Sequence, residues 1–141
     1  MLRAERFVTQ KIALAAARLA RGDREKLVLG NMDVKRDWGW APEYVEAMWR
    51  MLQQAEPVDY VVATGKLSSL EEFAAAAFAA AGLDWREHVA TDASLRRPTD
   101  LEGYAGDAAR ARRALAWSPR TVMPEVASKM VRALLEPPAS R

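Results

Sequence analysis

The sequence predicts an α/β fold in which helices dominate. Amphipathic helical patterns alternate along the chain with short apolar runs that are typical of strands. The 141 residues contain no internal repeat and no recognisable domain boundary, and this length suits one domain with a core of its own. We therefore expect a single lobe over residues 1–136, followed by a disordered tail at 137–141.

Composition excludes several classes of protein. The chain has no cysteine, which excludes disulfides, thiolate chemistry and cysteine–zinc sites. A single histidine, His88, cannot assemble a histidine metal cluster, and we expect it at an exposed helix end. The net charge of +2 is too small to indicate nucleic-acid binding. No apolar run approaches the roughly 20 residues that cross a bilayer, and no signal peptide opens the chain, so we expect a cytoplasmic protein without a membrane partner.

The first half of the chain predicts two helices separated by a strand. Apolar residues recur at helical spacing over residues 7–21, and Gly22 ends that helix. Residues 26–29 predict a short strand. Pro42 suits the first turn of the next helix, which ends before Pro57. We expect the buried stripe of this helix to be Val45, Met48, Trp49 and Leu52.

The strongest strand signal lies at residues 59–65, where an apolar run is closed by a glycine. A helix follows, because Ser69 and Glu72 have the spacing of a capping box and Gly82 provides a stop. Its expected inner face is Leu70, Phe73, Ala74, Ala77, Phe78 and Ala81. The alanines among them indicate close packing against a neighbouring element.

The remainder of the chain predicts a loop and two helices. The pattern weakens over residues 84–106, where we expect a loop with one short strand near Val89. Asp107 can cap a short helix, and a last amphipathic helix is predicted over about 122–135. Helix therefore outweighs strand throughout.

Charge is concentrated in residues 29–39, between the first strand and the second helix. This loop contains Asn31, Asp33, Lys35, Arg36, Asp37 and Trp38. Gly30 and Gly39 bracket it, so the backbone can turn sharply and approach a ligand closely. Its two cations can face an anionic group, while its carboxylates orient them or accept from hydroxyls. The residues alone leave two interpretations open, an anion-binding loop and a solvated surface turn.

The same loop resembles that of the GDP-mannose 4,6-dehydratases. The resemblance rests on Gly30–Gly39 (GNMDVKRDWG), Tyr44–Trp49 (YVEAMW) and Met51–Gln54 (MLQQ), and it extends from about Arg3 to Val131. These enzymes are extended short-chain dehydrogenases that use NADP and act on a nucleotide sugar. Only their C-terminal part is resembled. The resemblance therefore implies a helix-dominated substrate-binding lobe with a few short strands and no complete Rossmann domain.

The catalytic motifs of such enzymes are missing from the sequence. No G-x-G-x-x-G occurs, although dinucleotide binding needs a glycine-rich turn between a strand and a helix. No tyrosine is followed four positions later by the lysine that lowers the phenol pKa. The residues found at that spacing after Tyr44, Tyr60 and Tyr104 are Met48, Thr64 and Ala108. We therefore expect no catalytic residue, no main NADP site and no dehydratase activity in this chain alone.

The resemblance implies site residues at the start of the chain and in the charged loop. In RAERFVTQK, residues 3–11, Arg3 matches a position that contacts NADP. Val8 and Lys11 match positions that line the GDP site. Arg36 matches an arginine that reaches the diphosphate, and a guanidinium fork suits phosphate oxygens. Asn31 and Lys35 of the same loop complete the substrate-binding set expected here.

A second predicted phosphate-binding segment lies at residues 96–100. The segment RRPTD resembles the family's R-P-x-E. Arg97 is then the second phosphate-binding arginine, and Asp100 takes the place of a glutamate that accepts from the ribose hydroxyls. The alternative interpretation of this segment is a turn, since its residue types favour turns.

Three functions follow as hypotheses. The first is the C-terminal portion of a GDP-mannose 4,6-dehydratase, present as a fragment or a truncated product, or the same lobe of a reductase acting on the 4-keto product. The second is a non-catalytic module for nucleotide-sugar binding or subunit association. The third is an arginine-rich nucleic-acid binder using Arg96, Arg97, Arg110, Arg112 and Arg113. It is disfavoured by the small net charge and by the lack of a platform of stacking aromatics beside those arginines.

The first hypothesis also names partners. A GDP-sugar such as GDP-mannose is the expected ligand. An N-terminal Rossmann half or a second copy of the chain is the expected protein partner, because a lobe built to pack on a Rossmann sheet would otherwise expose an apolar face.

Overall fold

The structure, a computed structural model, describes residues 7–95 and 103–136. Its elements are α1 (Val8–Ala20), β1 (Leu27–Leu29), β2 (Lys35–Arg36), α2 (Ala41–Met51), β3 (Ser68–Ser69), α3 (Leu70–Ala80), α4 (Trp85–His88), β4 (Val89–Thr91), a 3-10 turn (Ala93–Leu95), α5 (Ala109–Leu115) and α6 (Met123–Leu135). The strands of the described residues form two separate two-stranded sheets. The prediction of a helix-rich lobe without a complete Rossmann sheet is therefore confirmed for this part of the chain.

The main core lies where α1, α3 and α6 pack against one another. Ile12, Phe73, Phe78 and Val131 are fully buried there. Alanines on the facing sides of α1 and α3 let the helix backbones approach closely, as their number in α3 predicted. The predicted inner face of α3 is confirmed, with Ala81 half-buried beyond the helix end.

The segments that connect these helices form two short sheets. β1 pairs in parallel with β4, with Leu27 opposite Val89, so both of these predicted strands are confirmed. β2 pairs antiparallel with β3, with Lys35 opposite Ser69. The sequence did not indicate this second ladder, because its strands are two residues long and polar. His88 ends α4 but is half-buried and stacks on Phe78, with ring centroids 6.0 Å apart, so its predicted exposure is wrong.

The starts of α3 and α5 follow local signals in the sequence. The Ser69 hydroxyl accepts from the Glu72 N–H at 3.0 Å, and the Glu72 carboxylate accepts from the Ser69 N–H at 2.7 Å. The predicted capping box is therefore confirmed. The Asp107 carboxylate accepts from the Ala109 N–H at 2.8 Å, at the first residue of α5. Both contacts satisfy N–H groups that lack a partner within the helix.

A second, smaller core joins α2 to α5. Ala47, Ala108 and Ala111 are fully buried there around the indole of Trp117, which is 1% exposed. The indole N–H donates to the Glu43 carbonyl oxygen at 2.8 Å. Trp117 therefore fixes α2 to the segment after α5 by both packing and a directed hydrogen bond.

The Glu43 carboxylate is buried at the edge of this core. It accepts from the Thr121 hydroxyl at 2.7 Å, from the Arg120 N–H at 2.9 Å and from the Thr121 N–H at 3.2 Å. Burial raises the pKa of this carboxyl, but the hydrogen bonds to its charged form outweigh burial and hold the pKa below its ordinary value of 4.5.

Acid should weaken the fold through Glu43. Because the pKa is lower in the folded state, the stabilisation is complete above pH 4.5 and is lost as the pH falls through the folded-state pKa. We expect Glu43→Gln to be less stable than wild type at pH 7, with a difference that shrinks below pH 4.5. Urea unfolding from pH 3 to 7 measures this difference, and two parallel stability profiles would contradict it.

The predicted strand at 59–65 is not formed, which corrects the sequence analysis. Residues 59–64 belong to no helix, strand or turn, and no described residue pairs with them in a ladder. Tyr60 and Val62 pack on the second core, and the N–H groups of Thr64 and Gly65 donate to the Asp37 carboxylate. A strand requires a neighbouring strand for its backbone hydrogen bonds, and the described residues supply none.

The predicted buried stripe of α2 is also wrong. Val45, Met48, Trp49 and Leu52 are 61%, 56%, 61% and 82% exposed. α2 instead buries Ala47 and Glu43, with Tyr44 and Met51 partly covered by the second core. Its main helical neighbour among the described elements is the short α5, so only one side of α2 is covered.

Candidate functional site

A cleft of about 920 Å³ opens beside the charged loop. It is lined by Phe7, Val8, Thr9, Lys11, Val28, Leu29, Gly30, Asn31, Val34, Arg36, Asp37, Trp38, Leu70, Leu95 and Tyr104. Four of the predicted site residues, Val8, Lys11, Asn31 and Arg36, therefore lie on one cleft. Lys35 does not line it. Arg3, Arg97 and Asp100 lie outside the described residues.

The first wall of the cleft is the start of α1. Val8 opens the helix, and Lys11 follows three positions later on the same side. The Lys11 ammonium donates to the Val28 carbonyl oxygen at 2.8 Å, which ties α1 to β1. Lys11 thus places a positive charge at the cleft, and its hydrogen bond to β1 fixes the position of this charge.

The end of β1 forms the floor. At Gly30 the backbone passes so close to the turn Ala93–Leu95 that a Cβ would lie 2.6 Å from the Leu95 carbonyl oxygen. Only glycine allows this approach without displacement of the turn. Asn31 then accepts the Asp33 N–H on its side-chain oxygen at 3.0 Å, an Asx turn that redirects the chain.

The β2–β3 ladder positions the two neighbouring cations differently. Arg36 is half-buried and lines the cleft, with its guanidinium donating to the Lys35 carbonyl oxygen at 2.7 Å. Lys35 is exposed, as expected for the adjacent residue of a strand, whose side chain points to the opposite face. The ladder therefore presents a guanidinium to the cleft.

Asp37 joins three separate segments. Its carboxylate accepts from the Thr64 N–H at 3.0 Å, the Gly65 N–H at 2.9 Å and the Gly106 N–H at 3.3 Å, and also from the Thr64 hydroxyl. The sequence suggested that Asp37 orients the neighbouring cations or accepts from hydroxyls. Its larger role is to tie the charged loop to two loops far along the chain, which no local pattern indicated.

Aromatic side chains pack the charged loop against the main core and against α2. Trp38 packs on Phe73 with ring centroids 5.3 Å apart. Trp40 packs against the main core, and the Lys129 ammonium lies 5.7 Å from its ring centroid. Tyr44 places its hydroxyl where a Cβ on Gly39 would lie. Burial raises the pKa of Tyr44, as do the charges of Asp37 and Glu43, so this phenol stays neutral.

The sequence analysis missed Tyr104 as a cleft residue. Gly103 before it lies so close to β2 that a Cβ would be 2.7 Å from the Lys35 carbonyl oxygen. This contact holds residues 103–106 beside the charged loop. Tyr104 then projects at the cleft with 77% of its surface exposed.

The site has the chemistry of an anion-binding cleft. It combines Lys11 and Arg36 with an apolar wall and with polar groups that suit a ligand carrying both charge and hydroxyls. Among residues 7–95 and 103–136, no group of three or more His, Asp or Glu side chains could hold a metal ion. No helix of the described part is long and apolar enough to cross a bilayer.

Comparison with protein families finds one model that matches, described as GDP-mannose 4,6 dehydratase, over residues 1–130. GDP-mannose 4,6 dehydratase 1 of Arabidopsis thaliana is 45% identical over 129 residues, covering 92% of this chain and 36% of that protein. GDP-mannose 4,6 dehydratase of Homo sapiens is 39% identical over 151 residues, covering 95% of this chain and 41% of that protein. The chain thus spans about two fifths of these relatives and matches their C-terminal part.

Solved structures share the fold. RMD from Pseudomonas aeruginosa, complexed with NADPH, has a TM-score of 0.83 at 22% identity, over 94% of this chain and 44% of that one. UDP-glucose 4-epimerase from Bifidobacterium longum, in complex with NAD+ and UDP, has a TM-score of 0.72 at 19% identity, over 89% of this chain and 38% of that one. At these identities the likeness concerns the fold.

Proposed function

This chain belongs to the GDP-mannose 4,6-dehydratase family, and from that premise we propose that it is the C-terminal, GDP-sugar-binding portion of such an enzyme. The intact enzyme would be a lyase that converts GDP-mannose to GDP-4-dehydro-6-deoxy-mannose with NADP, as a step towards GDP-fucose, in the cytoplasm. The observation that carries the proposal is the meeting of Val8, Lys11, Asn31 and Arg36 on one cleft.

In this proposal, the cleft binds the nucleotide diphosphate. The Arg36 guanidinium presents paired donors to phosphate oxygens, and Lys11 adds a second positive charge. Lys35 contributes from outside the cleft through its charge. Arg97 as a second clamp, Asp100 as acceptor from the ribose hydroxyls and Arg3 as an NADP contact stay predictions from the family resemblance.

NADP does not fit the residues of this chain alone. A dinucleotide pyrophosphate requires a glycine-rich turn between a strand and a helix, and the sequence contains no such motif. We therefore assign no catalytic residue and no catalytic step to the chain. Its contribution to the reaction would be to bind and orient the GDP-sugar.

The purified chain should therefore be inactive. Incubation with GDP-mannose and NADP is expected to give no 4-keto sugar, because neither the hydride carrier's site nor a Tyr–Lys pair is encoded. Product analysis by mass spectrometry checks this, with the Arabidopsis thaliana relative as the positive control. Turnover by this chain alone would contradict the assignment.

GDP binding tests the cleft itself. Arg36→Ala should weaken GDP binding about tenfold or more, since a hydrogen bond to a charged group contributes about 1.5–3 kcal/mol. Lys35→Ala should cause a smaller loss, because its side chain does not line the cleft. Isothermal titration calorimetry with GDP measures both.

The matched control is Arg132→Ala, which removes an exposed arginine of α6 outside the cleft and should leave the affinity unchanged. Equal affinities of wild type and Arg36→Ala would refute the proposed binding mode. Tighter binding to an oligonucleotide than to GDP would favour the nucleic-acid hypothesis instead.

A second candidate is a module for subunit association. It is favoured by the exposed apolar side chains of α2, which the described part of the chain leaves uncovered. The partner would be an N-terminal Rossmann half or a second copy of the chain. The equivalent lobe of a reductase acting on the 4-keto product is a further alternative, and the substrate turned over by a reconstituted enzyme would separate the two reactions.

A further inference from the structure

We propose that Tyr104 is a further ligand-binding residue of the cleft, and that its phenol hydroxyl donates to the same phosphate group as the Arg36 guanidinium. The class of ligand is a nucleoside diphosphate. The inference rests on the proposed function, because it takes the cleft to be the diphosphate site. The family resemblance assigns no role to Tyr104, and this role follows from its position beside Arg36 in the structure.

Two glycines hold the backbone of Tyr104 in place. On one side, a Cβ at Gly103 would lie 2.7 Å from the Lys35 carbonyl oxygen, so the chain passes directly over β2. On the other side, the Gly106 N–H donates to the Asp37 carboxylate at 3.3 Å. Because these two contacts lie so close along the chain, the backbone at Tyr104 is fixed beside the charged loop without a ligand.

The Lys35 carbonyl oxygen places Tyr104 next to the guanidinium of Arg36. This oxygen accepts from Arg36 Nη1 at 2.7 Å, and the backbone of Gly103 packs against the same oxygen. Arg36 and the residue before Tyr104 therefore share one contact atom. Both side chains also line the cleft. A tyrosine side chain is long enough to reach a group that is bound by a guanidinium so close to its own backbone.

The phenol hydroxyl of Tyr104 is available to a ligand. The residue is 77% exposed, and its hydroxyl bonds to no residue in the part of the chain that the structure describes. A phenol can donate a hydrogen bond, whereas the oxygens of an ionised phosphate accept them. Bonds from a hydroxyl to a charged oxygen are short and strong. Tyr104 would thus add a donor to the site without adding a charge.

Stacking of the Tyr104 ring on the nucleobase is the alternative contact, since exposed aromatic rings stack on bases of any sequence. The position of the residue favours the phosphate. Val8 and Lys11 form the wall of the cleft at α1, whereas the contact of Gly103 with β2 places Tyr104 beside Arg36. We therefore assign the hydroxyl, and not the face of the ring, as the group that binds the ligand.

Isothermal titration calorimetry of the full chain with GDP and with inorganic pyrophosphate tests the assignment. Tyr104→Phe removes only the hydroxyl, and it should weaken the binding of both ligands about tenfold. Tyr104→Ala should cause a similar loss. Ser118→Ala removes an exposed hydroxyl outside the cleft, so it is the matched control and should bind both ligands like wild type. The urea midpoint of Tyr104→Phe should equal that of wild type, because the hydroxyl has no described partner.

Two outcomes would overturn the inference. In one, both variants of Tyr104 bind GDP and pyrophosphate like wild type. In the other, Tyr104→Phe binds like wild type while Tyr104→Ala loses affinity for GDP alone, which would assign the ring to the nucleobase. Arg36→Ala separates this inference from the proposed function. If Arg36→Ala weakens GDP binding and Tyr104→Phe does not, the cleft binds the diphosphate without Tyr104, and if neither weakens it, the proposed function fails as well.

Discussion

Replacing Trp117 by alanine is expected to lower the free energy of unfolding by about 3–5 kcal/mol. The indole is almost fully buried between α2 and α5, and its removal leaves a cavity lined by alanines that cannot expand to fill it. The Glu43 carbonyl oxygen also loses its indole donor. Since a domain's net stability is about 5–15 kcal/mol, we expect a large shift of the urea midpoint.

Trp117→Phe separates packing from hydrogen bonding. Phenylalanine retains an aromatic ring but lacks the N–H. The free energy of unfolding should therefore fall clearly less in Trp117→Phe than in Trp117→Ala. Ser118→Ala, at the exposed next position, should stay within about 0.5 kcal/mol of wild type. A loss for Trp117→Ala as small as that for Ser118→Ala would show that the second core is not a stable part of the fold.

Replacing Asp37 by alanine should have the second-largest effect and lower the free energy of unfolding by about 2–4 kcal/mol. A hydrogen bond to a charged acceptor contributes about 1.5–3 kcal/mol, and bonds to one carboxylate are not additive. The substitution leaves the N–H groups of Thr64, Gly65 and Gly106 without their acceptor. It also frees the loop that carries Arg36, so GDP binding should weaken together with stability.

Asp33→Ala is the matched control for Asp37→Ala. It removes an exposed carboxylate of the same loop whose side chain accepts no hydrogen bond from the described residues. Its unfolding free energy should stay within about 0.5 kcal/mol of wild type. Urea unfolding followed by tryptophan fluorescence measures both variants, and equal losses would show that Asp37 stabilises the loop only through its charge.

Local signals predicted much of the fold. The capping box of Ser69 and Glu72 is an interaction between residues three positions apart, so the sequence contains all of it. The helical spacing of α3 predicted its buried face for the same reason. Short polar strands such as β2 have no local signal in the sequence, because β2 is a strand only through its pairing with β3.

The errors at α2 and at residues 59–65 have one physical origin. The apolar stripe of α2 and the apolar run at 59–65 were interpreted as buried elements, and both interpretations require something to cover them. Among the described residues, α5 and Trp117 cover only the side of α2 that carries Ala47. Apolar periodicity predicts which residues form an apolar face, but it does not predict whether other residues of this chain pack on that face.

The candidate site was predictable in part. Val8, Lys11, Asn31 and Arg36 were expected from the family resemblance, and the cleft brings them together. Asp37 as an anchor and Tyr104 as a cleft residue were not expected. Each depends on contacts with residues far along the chain, such as Gly106 and Lys35, which spacing along the chain does not encode.

The packing of α1 on α6 bears on how the molecule acquires its structure during synthesis. Among the described helices α1 is translated first and α6 last, and the two pack on each other, so Ile12 and Val131 cannot join one core until α6 has left the ribosome. At about 5–20 residues per second, the stretch between Ala20 and Met123 takes on the order of 5–20 seconds to translate. During that interval the part of α1 that packs on α6 has no cover, and binding by a ribosome-associated chaperone would protect it from aggregation.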